Sequence, residues 1–140
     1  MIYVIATTPM KPENKDDFIK GHKACTVETL KEKGCLSYEG HVSVNNPNLY
    51  VVVERWETRD DLNAHGRAPH MKVWREYSSQ MKTAPTVIEI ISDAKVEKLS
   101  YQETPLNDHL AKGLSLQPHE SIQHLAALER RIARLEQGQL

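Results

Sequence analysis

The chain has 140 residues and a formal net charge of −1, and 39% of its residues are hydrophobic and 26% charged, as in an ordinary globular protein. Lys and Arg are not clustered along it, which argues against nucleic-acid binding because affinity for phosphates needs such clusters. No apolar run approaches the roughly 20 residues that cross a bilayer, so we expect no membrane-spanning segment.

The N-terminal run and the two cysteines bear on the compartment of the protein. Met1 leads directly into the run I-Y-V-I-A, which is typical of a strand and not of a signal peptide. Cys25 and Cys35 are too few and too far apart for a disulfide framework or a zinc knuckle. We therefore expect two reduced, mostly buried thiols in a cytoplasmic protein.

A strand and a long helix begin the predicted fold. Residues 2–8 carry apolar side chains at both odd and even positions, as in a strand that is covered on both faces. Pro12 predicts the start of a helix and Gly34 its end, so we expect the helix to run to about Lys33. Its inward arc is mainly apolar with an imidazole at the centre, and comprises Phe18, Ile19, His22, Cys25, Thr26, Thr29 and Leu30.

A hairpin follows, because the turn signal N-N-P-N separates two runs typical of strands. The second strand is predicted over residues 35–44 and the third over residues 49–56. Alternation along the second strand predicts two opposite faces, with Leu36, Tyr38, Val42 and Val44 on one and Ser37, Glu39, His41 and Ser43 on the other.

Two short helices and a fourth strand come next. Thr58 is the expected N-cap of a helix over residues 59–65, which Gly66 ends. A second helix begins at Pro69, and a strand is predicted over residues 85–91. One stripe of the second helix carries His70, Trp74, Tyr77 and Met81.

The predicted order β-α-β-β-α-β over residues 1–92 is the split βαβ pattern of a ferredoxin-like domain, an α+β fold. Such a domain has helices on one face of an antiparallel sheet. The third strand has apolar side chains on both of its faces, with Val51 and Val53 on one face and Val52 on the other. The second face of the sheet then also needs cover, so we expect a two-fold homodimer through sheet faces.

The tail, residues 98–140, is predicted as an extension of a domain that spans residues 1–97. A further short strand is expected over residues 94–101, and the segment 102–118 is rich in turn residues. An amphipathic helix is predicted at about residues 121–137, with a heptad seam of Leu125, Leu128, Ile132 and Leu135. Two alternatives stay open for this helix: it packs on its own domain, or it joins subunits into a higher oligomer.

Three segments carry a family resemblance, and they read K-E-K-G-C-L-S-Y-E, Y-V-V-V-E-R-W-E-T and L-N-A-H-G-R-A-P-H-M. They resemble the antibiotic biosynthesis monooxygenase (ABM) family over most of residues 1–92, in a pattern that includes Glu54, Trp56, His65 and His70. The resemblance implies a dimeric α+β barrel. Some members of the family oxidise quinols or polycyclic aromatics with O2 and no cofactor, and another relative isomerises a phosphorylated dione.

The haem-degrading branch of that family differs from this chain at its functional positions. The branch has an Asn in its first strand, where this chain offers Thr7 or Thr8. If the branch's Trp corresponds to His65, its His ligand falls on Arg75. These differences argue against haem degradation, and the resemblance to the other members implies that no cofactor is needed.

Three histidines are the candidate catalytic residues, and the gap between helices and sheet is the expected pocket. His22 enters it from the long helix. On one continuous helix His65 and His70 would point about 140° apart, but Gly66 and Pro69 break the helix and let both rings turn inward. The dipoles of the two short helices favour the imidazolium form of His65 and the neutral form of His70, which would divide acid and base roles.

The predicted pocket suits a small, flat aromatic or quinol substrate, with candidate walls Trp56, Trp74, Tyr77 and Tyr38 and a further polar group at Glu54. We expect a neutral His to take a proton from the substrate before an electron passes to O2, while apolar walls exclude water. The same groups would serve an isomerase that acts beside a carbonyl. The tail helix favours a third function, a binding or assembly module without chemistry.

Structural roles for these residues stay open. His65 suits a helix C-cap and His22 a satisfied core or interface position. Glu54 suits an ion pair with Arg55, with Arg59 or with a partner subunit. Because His22, His65 and His70 lack the spacing of a ligand pair on one helix, no metal site is predicted. The remaining histidines are expected at the surface, namely His41, His109, His119 and His124.

Overall fold

The structure of the protein, a computed structural model, describes residues 1–100 and 118–138. The chain divides into two compact units, Met1–Val96 and Glu97–Leu140. Within the two described ranges, no helix is long and apolar enough to cross a membrane. Tyr101, His109 and nearly all of the predicted turn-rich segment lie outside the described residues.

The first unit has the predicted β-α-β-β-α-β order, with the second crossover helix broken in two. Its elements are β1 (Ile2–Pro9), a 3-10 turn (Pro12–Asn14), α1 (Lys15–Thr29), β2 (Cys35–Val42), β3 (Leu49–Trp56), α2 (Arg59–Arg67), α3 (Pro69–Ser78) and β4 (Val87–Ile91). The strands form one sheet in the order β2-β3-β1-β4, and every pairing is antiparallel. The ferredoxin-like α+β prediction is therefore confirmed.

The core lies between the helices and one face of the central strands. Along β1, buried and half-buried residues alternate, because every second side chain faces the helices. The register pairs Val4 with Glu54 and Ala6 with Val52, so that these side chains share the helix-facing side. Trp56, at the end of the same row, is fully buried. The helix-facing row therefore carries one carboxylate among apolar side chains.

α1 ends at Thr29, earlier than predicted, and a series of turns replaces its last residues. Leu30, placed by the sequence pattern on the inward arc, is the C-cap of α1 and is 53% exposed, so this prediction is wrong. Gly34 follows in the left-handed region with φ +78° and accepts a hydrogen bond from the Glu57 N–H at 2.8 Å. These turns carry Glu32 away from α1 and towards the two short helices.

β2 departs from the predicted alternation at both ends. A register shift between Cys35 and Ser37 turns Leu36 outward, where it is 45% exposed, whereas Tyr38 is buried. The strand ends at Val42, so Val44 lies beyond it and is 97% exposed. The prediction that Leu36 and Val44 share an inward face with Tyr38 is wrong for both, because a bulge and a turn interrupt the alternation.

The two short helices meet at a kink that proline imposes. The Thr58 side chain accepts a hydrogen bond from the Asp61 N–H at 3.1 Å, which confirms the predicted N-cap. α2 continues through Gly66 to Arg67, two residues further than predicted. Ala68 is extended, with φ −63° and ψ 143°, as expected before Pro69. The break between the helices is therefore fixed by Pro69 and not by the glycine.

The last part of the first unit is shorter than predicted. β4 begins at Val87 and not at residue 85, and Met81 lies beyond the end of α3, although it still packs against the core. Residues 94–100 form no strand within this chain, and a strand laid across a partner subunit stays a prediction for them. Both cysteines are free thiols, with Cys25 buried and Cys35 half-buried, as expected.

In the second unit, α4 (Pro118–Glu136) begins three residues before the predicted helix and ends one residue before its predicted end. The seam residues Leu125, Leu128 and Ile132 are 61%, 44% and 54% exposed. The side chain of Leu135, the fourth seam residue, lies outside the described part, as do those of His119 and His124. The helix therefore presents an apolar seam to solvent.

We expect opposite effects on stability from two glycine substitutions. Gly34→Ala forces a Cβ into the left-handed region and against the Asp61 carboxyl group, which should lower the free energy of unfolding by more than about 1 kcal/mol. Gly66→Ala adds a Cβ in open space near a helix end, which should raise the free energy of unfolding by up to about 1 kcal/mol. Urea denaturation of both variants measures the difference, and equal effects would contradict the assigned backbone conformation of Gly34.

Candidate active site

A cavity of about 180 Å³ lies between α1, α3 and the helix-facing side of the sheet, where the pocket was predicted. Its volume slightly exceeds the roughly 150 Å³ of an apolar cavity that holds benzene, so it suits one substituted aromatic ring. Half of its lining residues are apolar or aromatic and half are polar or charged, and they are Ala6, Thr8, Phe18, His22, Tyr38, Val52, Glu54, Met71, Trp74, Arg75, Ser78, Lys82, Thr86 and Ile88.

His22 is 2% exposed and held from several sides within this lining. Its Nδ1 lies 2.9 Å from the Tyr50 hydroxyl and 3.4 Å from Thr26 Oγ1. The ring stacks on Tyr38 at 5.2 Å with an interplanar angle of 14°, and packs edge-on against Trp74 at 5.6 Å. Its Nε2 has no hydrogen-bond partner, alone among the buried side-chain nitrogens and oxygens of the described residues. A buried polar atom without a partner is costly, which points to a ligand at this position.

The charge of His22 follows from its burial, and its hydrogen-bond partners allow two tautomers. Burial lowers the pKa of His22 to about 4, so the ring is neutral at pH 7. Thr26 donates its own hydroxyl proton to the His22 carbonyl oxygen at 2.9 Å, which leaves Thr26 Oγ1 free to accept. In the tautomer with the proton on Nε2, the Tyr50 hydroxyl donates to Nδ1. In the tautomer with the proton on Nδ1, that proton has two acceptor oxygens, those of Thr26 and Tyr50. In this tautomer Nε2 carries a lone pair and can act as a base.

Glu54 is the carboxylate of the cavity, and it is 6% exposed. Its Oε2 accepts a hydrogen bond from Trp56 Nε1 at 2.8 Å. Burial raises the pKa of Glu54, and the Trp56 hydrogen bond and the nearby His65 partly offset this effect. Glu54 is therefore easier to protonate than an exposed glutamate, which suits a group that exchanges a proton with a ligand.

The structure corrects the expected environment of Glu54. The predicted ion pair with a neighbouring Arg is absent from the described contacts: Arg55 Nε donates to Ser37 Oγ at 2.8 Å, and Arg59 Nε donates to Asn63 at 3.2 Å. Trp56, a predicted substrate wall, is fully buried and lies outside the cavity lining. Its indole instead orients Glu54, because the two side chains lie on the same face of β3.

The other predicted walls divide between the cavity and the surface. Tyr38 and Trp74 line the cavity, and burial raises the pKa of Tyr38 far above its usual range, so its phenol stays protonated. Tyr77 does not line it, because its hydroxyl donates to the Asp17 carbonyl oxygen at 3.0 Å across the outer side of α1. Tyr77 faces instead a separate apolar groove that His70 and Trp74 also line.

His65 and His70 do turn towards each other, with ring centroids 6.0 Å apart, but neither lines the cavity. Both face Glu32, whose Oε1 lies 2.7 Å from His65 Nδ1 and 2.9 Å from His70 Nε2. His22 therefore belongs to one site, and the other two predicted catalytic histidines belong to a second. The division of acid and base roles between His65 and His70 stays a prediction.

Two residues that matter here were missed from the sequence. Tyr50 holds His22, and it could have been found because it shares its parity on β3 with Val52 and Glu54. Glu32 joins two histidines that lie 33 and 38 positions further along the chain. It gave no local signal, since it was placed near the end of a helix among solvated charges. His41, by contrast, is exposed as expected.

The fold and a family model together identify the class of protein. The fold and its cavity define a small ferredoxin-like domain with a ligand-sized pocket between helices and sheet. The family model of the antibiotic biosynthesis monooxygenases matches residues 1–77, more than half of the chain. The chain therefore belongs to the antibiotic biosynthesis monooxygenase family, and the resemblance seen in the sequence is confirmed.

The chain is also similar to solved structures and to a curated protein. A conserved protein from Methanosarcina mazei Go1 is 32% identical with a TM-score of 0.63, and the match covers 64% of this chain and 89% of that one. Rv0793 from Mycobacterium tuberculosis is 25% identical with a TM-score of 0.63, over 71% of this chain and 98% of that one. The protein sll1783 of Synechocystis is 26% identical over 98 residues, 70% of this chain and 67% of its own length.

We expect His22 to make stability depend on pH. Because its pKa is about 4 in the folded protein and near 6.5 in the unfolded chain, the unfolded chain binds the extra proton between these values. The free energy of unfolding should then fall as the pH drops from 6.5 to 4, by on the order of 3 kcal/mol from this residue. His22→Gln, which keeps a polar atom near Tyr50, should lose this part of the slope in urea denaturation series. Equal slopes in the two proteins would refute the buried neutral ring.

Proposed function

We propose that the protein oxidises a small aromatic compound with a ring hydroxyl, such as a quinol or naphthol, with O2 and without a cofactor. The observation that carries this proposal is His22, which lines a cavity of about 180 Å³ and whose buried Nε2 has no partner among the described residues. Phe18, Trp74 and Tyr38 line the cavity that would hold an aromatic ring, and the hydroxyl group of that ring would supply the partner that Nε2 lacks. The family to which the chain belongs supports the oxygenase class.

Proton transfer is the step that the residues of the cavity can perform. Neutral His22 accepts the hydroxyl proton through Nε2, while Nδ1 stays bonded to the oxygens of Tyr50 and Thr26. The substrate anion that forms beside the ring favours the imidazolium and offsets the burial that otherwise disfavours it. The apolar part of the lining excludes water, which strengthens this attraction.

Oxidation then needs only the substrate and O2. The anion passes one electron to O2, and the resulting radical and superoxide combine at a ring carbon to form a hydroperoxide. Loss of water from the hydroperoxide leaves one oxygen atom in the product and releases the other as water. A hydroquinone that becomes a hydroxyquinone supplies all four electrons, so the balance requires no external reductant. Protonated His22 or Glu54 can return a proton to the departing hydroxide.

The subunit arrangement belongs to the same proposal. Ile5 and Val53 point away from the helices and stay half-buried, and Val87 of β4 is 59% exposed on the same face. A second sheet would cover this apolar face and form a homodimer. The exposed seam of α4 supports a higher oligomer, and the free thiols of the chain suit a cytoplasmic location.

Oxygen uptake tests the reaction. We expect EDTA-treated protein to consume O2 with a panel of hydroquinones and naphthols faster than autoxidation. His22→Ala and His22→Gln should lower kcat/KM by about a hundredfold or more, because the base is lost. His65→Ala and His70→Ala are assayed in the same experiment, and His41→Ala is the control for loss of an exposed histidine.

The outcomes separate the candidate functions. A loss in the His65 or His70 variants without a loss in the His22 variants would move the base to the Glu32 site. Turnover under argon with carbonyl substrates, and no O2 uptake, would establish a proton-transfer enzyme such as an isomerase. Tight binding of aromatic compounds without turnover, in air or under argon, would indicate a binding module without chemistry. That result would contradict the proposed oxidation.

Light scattering tests the dimer. Val53→Lys places a charge in the middle of the exposed sheet face, so we expect the mass in solution to fall from that of a dimer to that of a single chain. Val44→Lys is the control, because Val44 is 97% exposed beyond the end of β2. An unchanged mass for Val53→Lys, with intact circular dichroism, would exclude the sheet face as the interface.

A further inference from the structure

We propose that Glu32, His65 and His70 bind a divalent first-row transition-metal ion such as Zn²⁺ at a site separate from the aromatic cavity. One ligand atom from each of the three residues lies within 4.8 Å of the others. The sequence predicted no metal site because the three candidate histidines, His22, His65 and His70, do not form a ligand pair on one helix. The structure replaces His22 with Glu32, which the sequence pattern did not single out.

The distances suit an ion after a small outward movement. Glu32 Oε1 lies 2.7 Å from His65 Nδ1 and 2.9 Å from His70 Nε2, which are hydrogen-bond distances. A tetrahedral zinc ion with bonds of about 2.0–2.2 Å separates its ligand atoms by about 3.3 Å. A shift of about half an ångström would therefore exchange the two hydrogen bonds for metal bonds.

The donor set selects the class of ion. Two imidazoles and one carboxylate form the ligand set of many three-ligand zinc sites and of 2-His-1-carboxylate iron sites. Mg²⁺ and Ca²⁺ prefer oxygen ligands throughout, so the set disfavours them. Three protein ligands also leave a position for water or another small molecule, as in zinc sites that are not purely structural.

The surroundings hold the ligands in place before an ion binds. His65 is 4% exposed, and its ring packs against Trp56 at 4.8 Å and Tyr38 at 5.6 Å. His70 lies in the first turn of α3, with Nε2 3.1 Å from Thr29 Oγ1. Thr29 donates its own proton to the Cys25 carbonyl oxygen, so in the metal-free protein it can accept from His70 Nε2, and a bound ion would displace the proton from that nitrogen.

The three ligands come from three separate parts of the first unit. Glu32 lies on the turns after α1, His65 in the last turn of α2, and His70 at the start of α3. A bound ion would tie the end of α1 to the kink between the short helices. An ion that binds the folded chain but not the unfolded chain stabilises the folded state, so the ion should also raise the Tm.

Metal titration of full-length, EDTA-treated protein tests the proposal. We expect one Co²⁺ per chain, with the visible absorption bands of a four- or five-coordinate ion, and displacement of Co²⁺ by Zn²⁺. Glu32→Gln keeps the shape of the side chain but removes its charge, and His70→Ala removes a ligand that is only partly buried. Each should weaken binding at least about tenfold and abolish the rise in Tm with Zn²⁺. His41→Ala, which removes an exposed histidine, should bind as the wild type does.

Two results would overturn the proposal. One is the absence of Co²⁺ binding to wild-type protein at concentrations up to about a hundred micromolar, where a three-ligand site should be filled. The other is wild-type binding by both Glu32→Gln and His70→Ala, since these variants keep every other histidine of the chain. Circular dichroism confirms that each variant is folded. Because no step measures turnover, a failure here leaves the proposed oxidation untouched, and the reverse also holds.

Discussion

The pairing of β1 with β3 fixes the position of every group in the cavity that comes from the centre of the sheet. Ala6 lies opposite Val52, and Thr8 lies opposite Tyr50, so their side chains share the helix-facing side. Because side chains alternate along a strand, a slip of one residue would turn this whole row to the other face. It would bring Val51 and Val53 under the helices and carry the carboxylate and the phenol out of the site.

The site is polar where a stable core would be apolar. His22 and Glu54 are both more than nine-tenths buried, and burial shifts the pKa of each towards its uncharged form. An aliphatic pair of the same volume would avoid the loss of hydration that these groups suffer. Neighbouring residues limit the cost at two of the polar atoms, since Tyr50 pairs with Nδ1 and Trp56 with the carboxylate. One nitrogen stays unpaired, and the proposed binding of a substrate hydroxyl group would remove this remaining cost.

Local patterns predicted much of this molecule, and long-range contacts account for the rest. The strand Leu49–Trp56, the Thr58 cap and the start of α3 at Pro69 follow from alternation and backbone preferences within a few residues. The bulge beside Leu36 has no local signature, because it depends on the register with β3. Similarly, periodicity placed His22 on the inner face of α1, but it could not show that Glu32 draws the other histidines into a different site.

β4 gives one residue two roles. Ile88 lines the cavity, yet it is 60% exposed on a strand that forms the edge of the sheet. Any surface that covers this part of β4 also narrows the way into the cavity. For a partner that covers this part of β4, ligand binding and partner binding would be linked equilibria, in which each changes the affinity of the other by the same factor. The occupancy of the cavity would accordingly vary with the concentration of that partner.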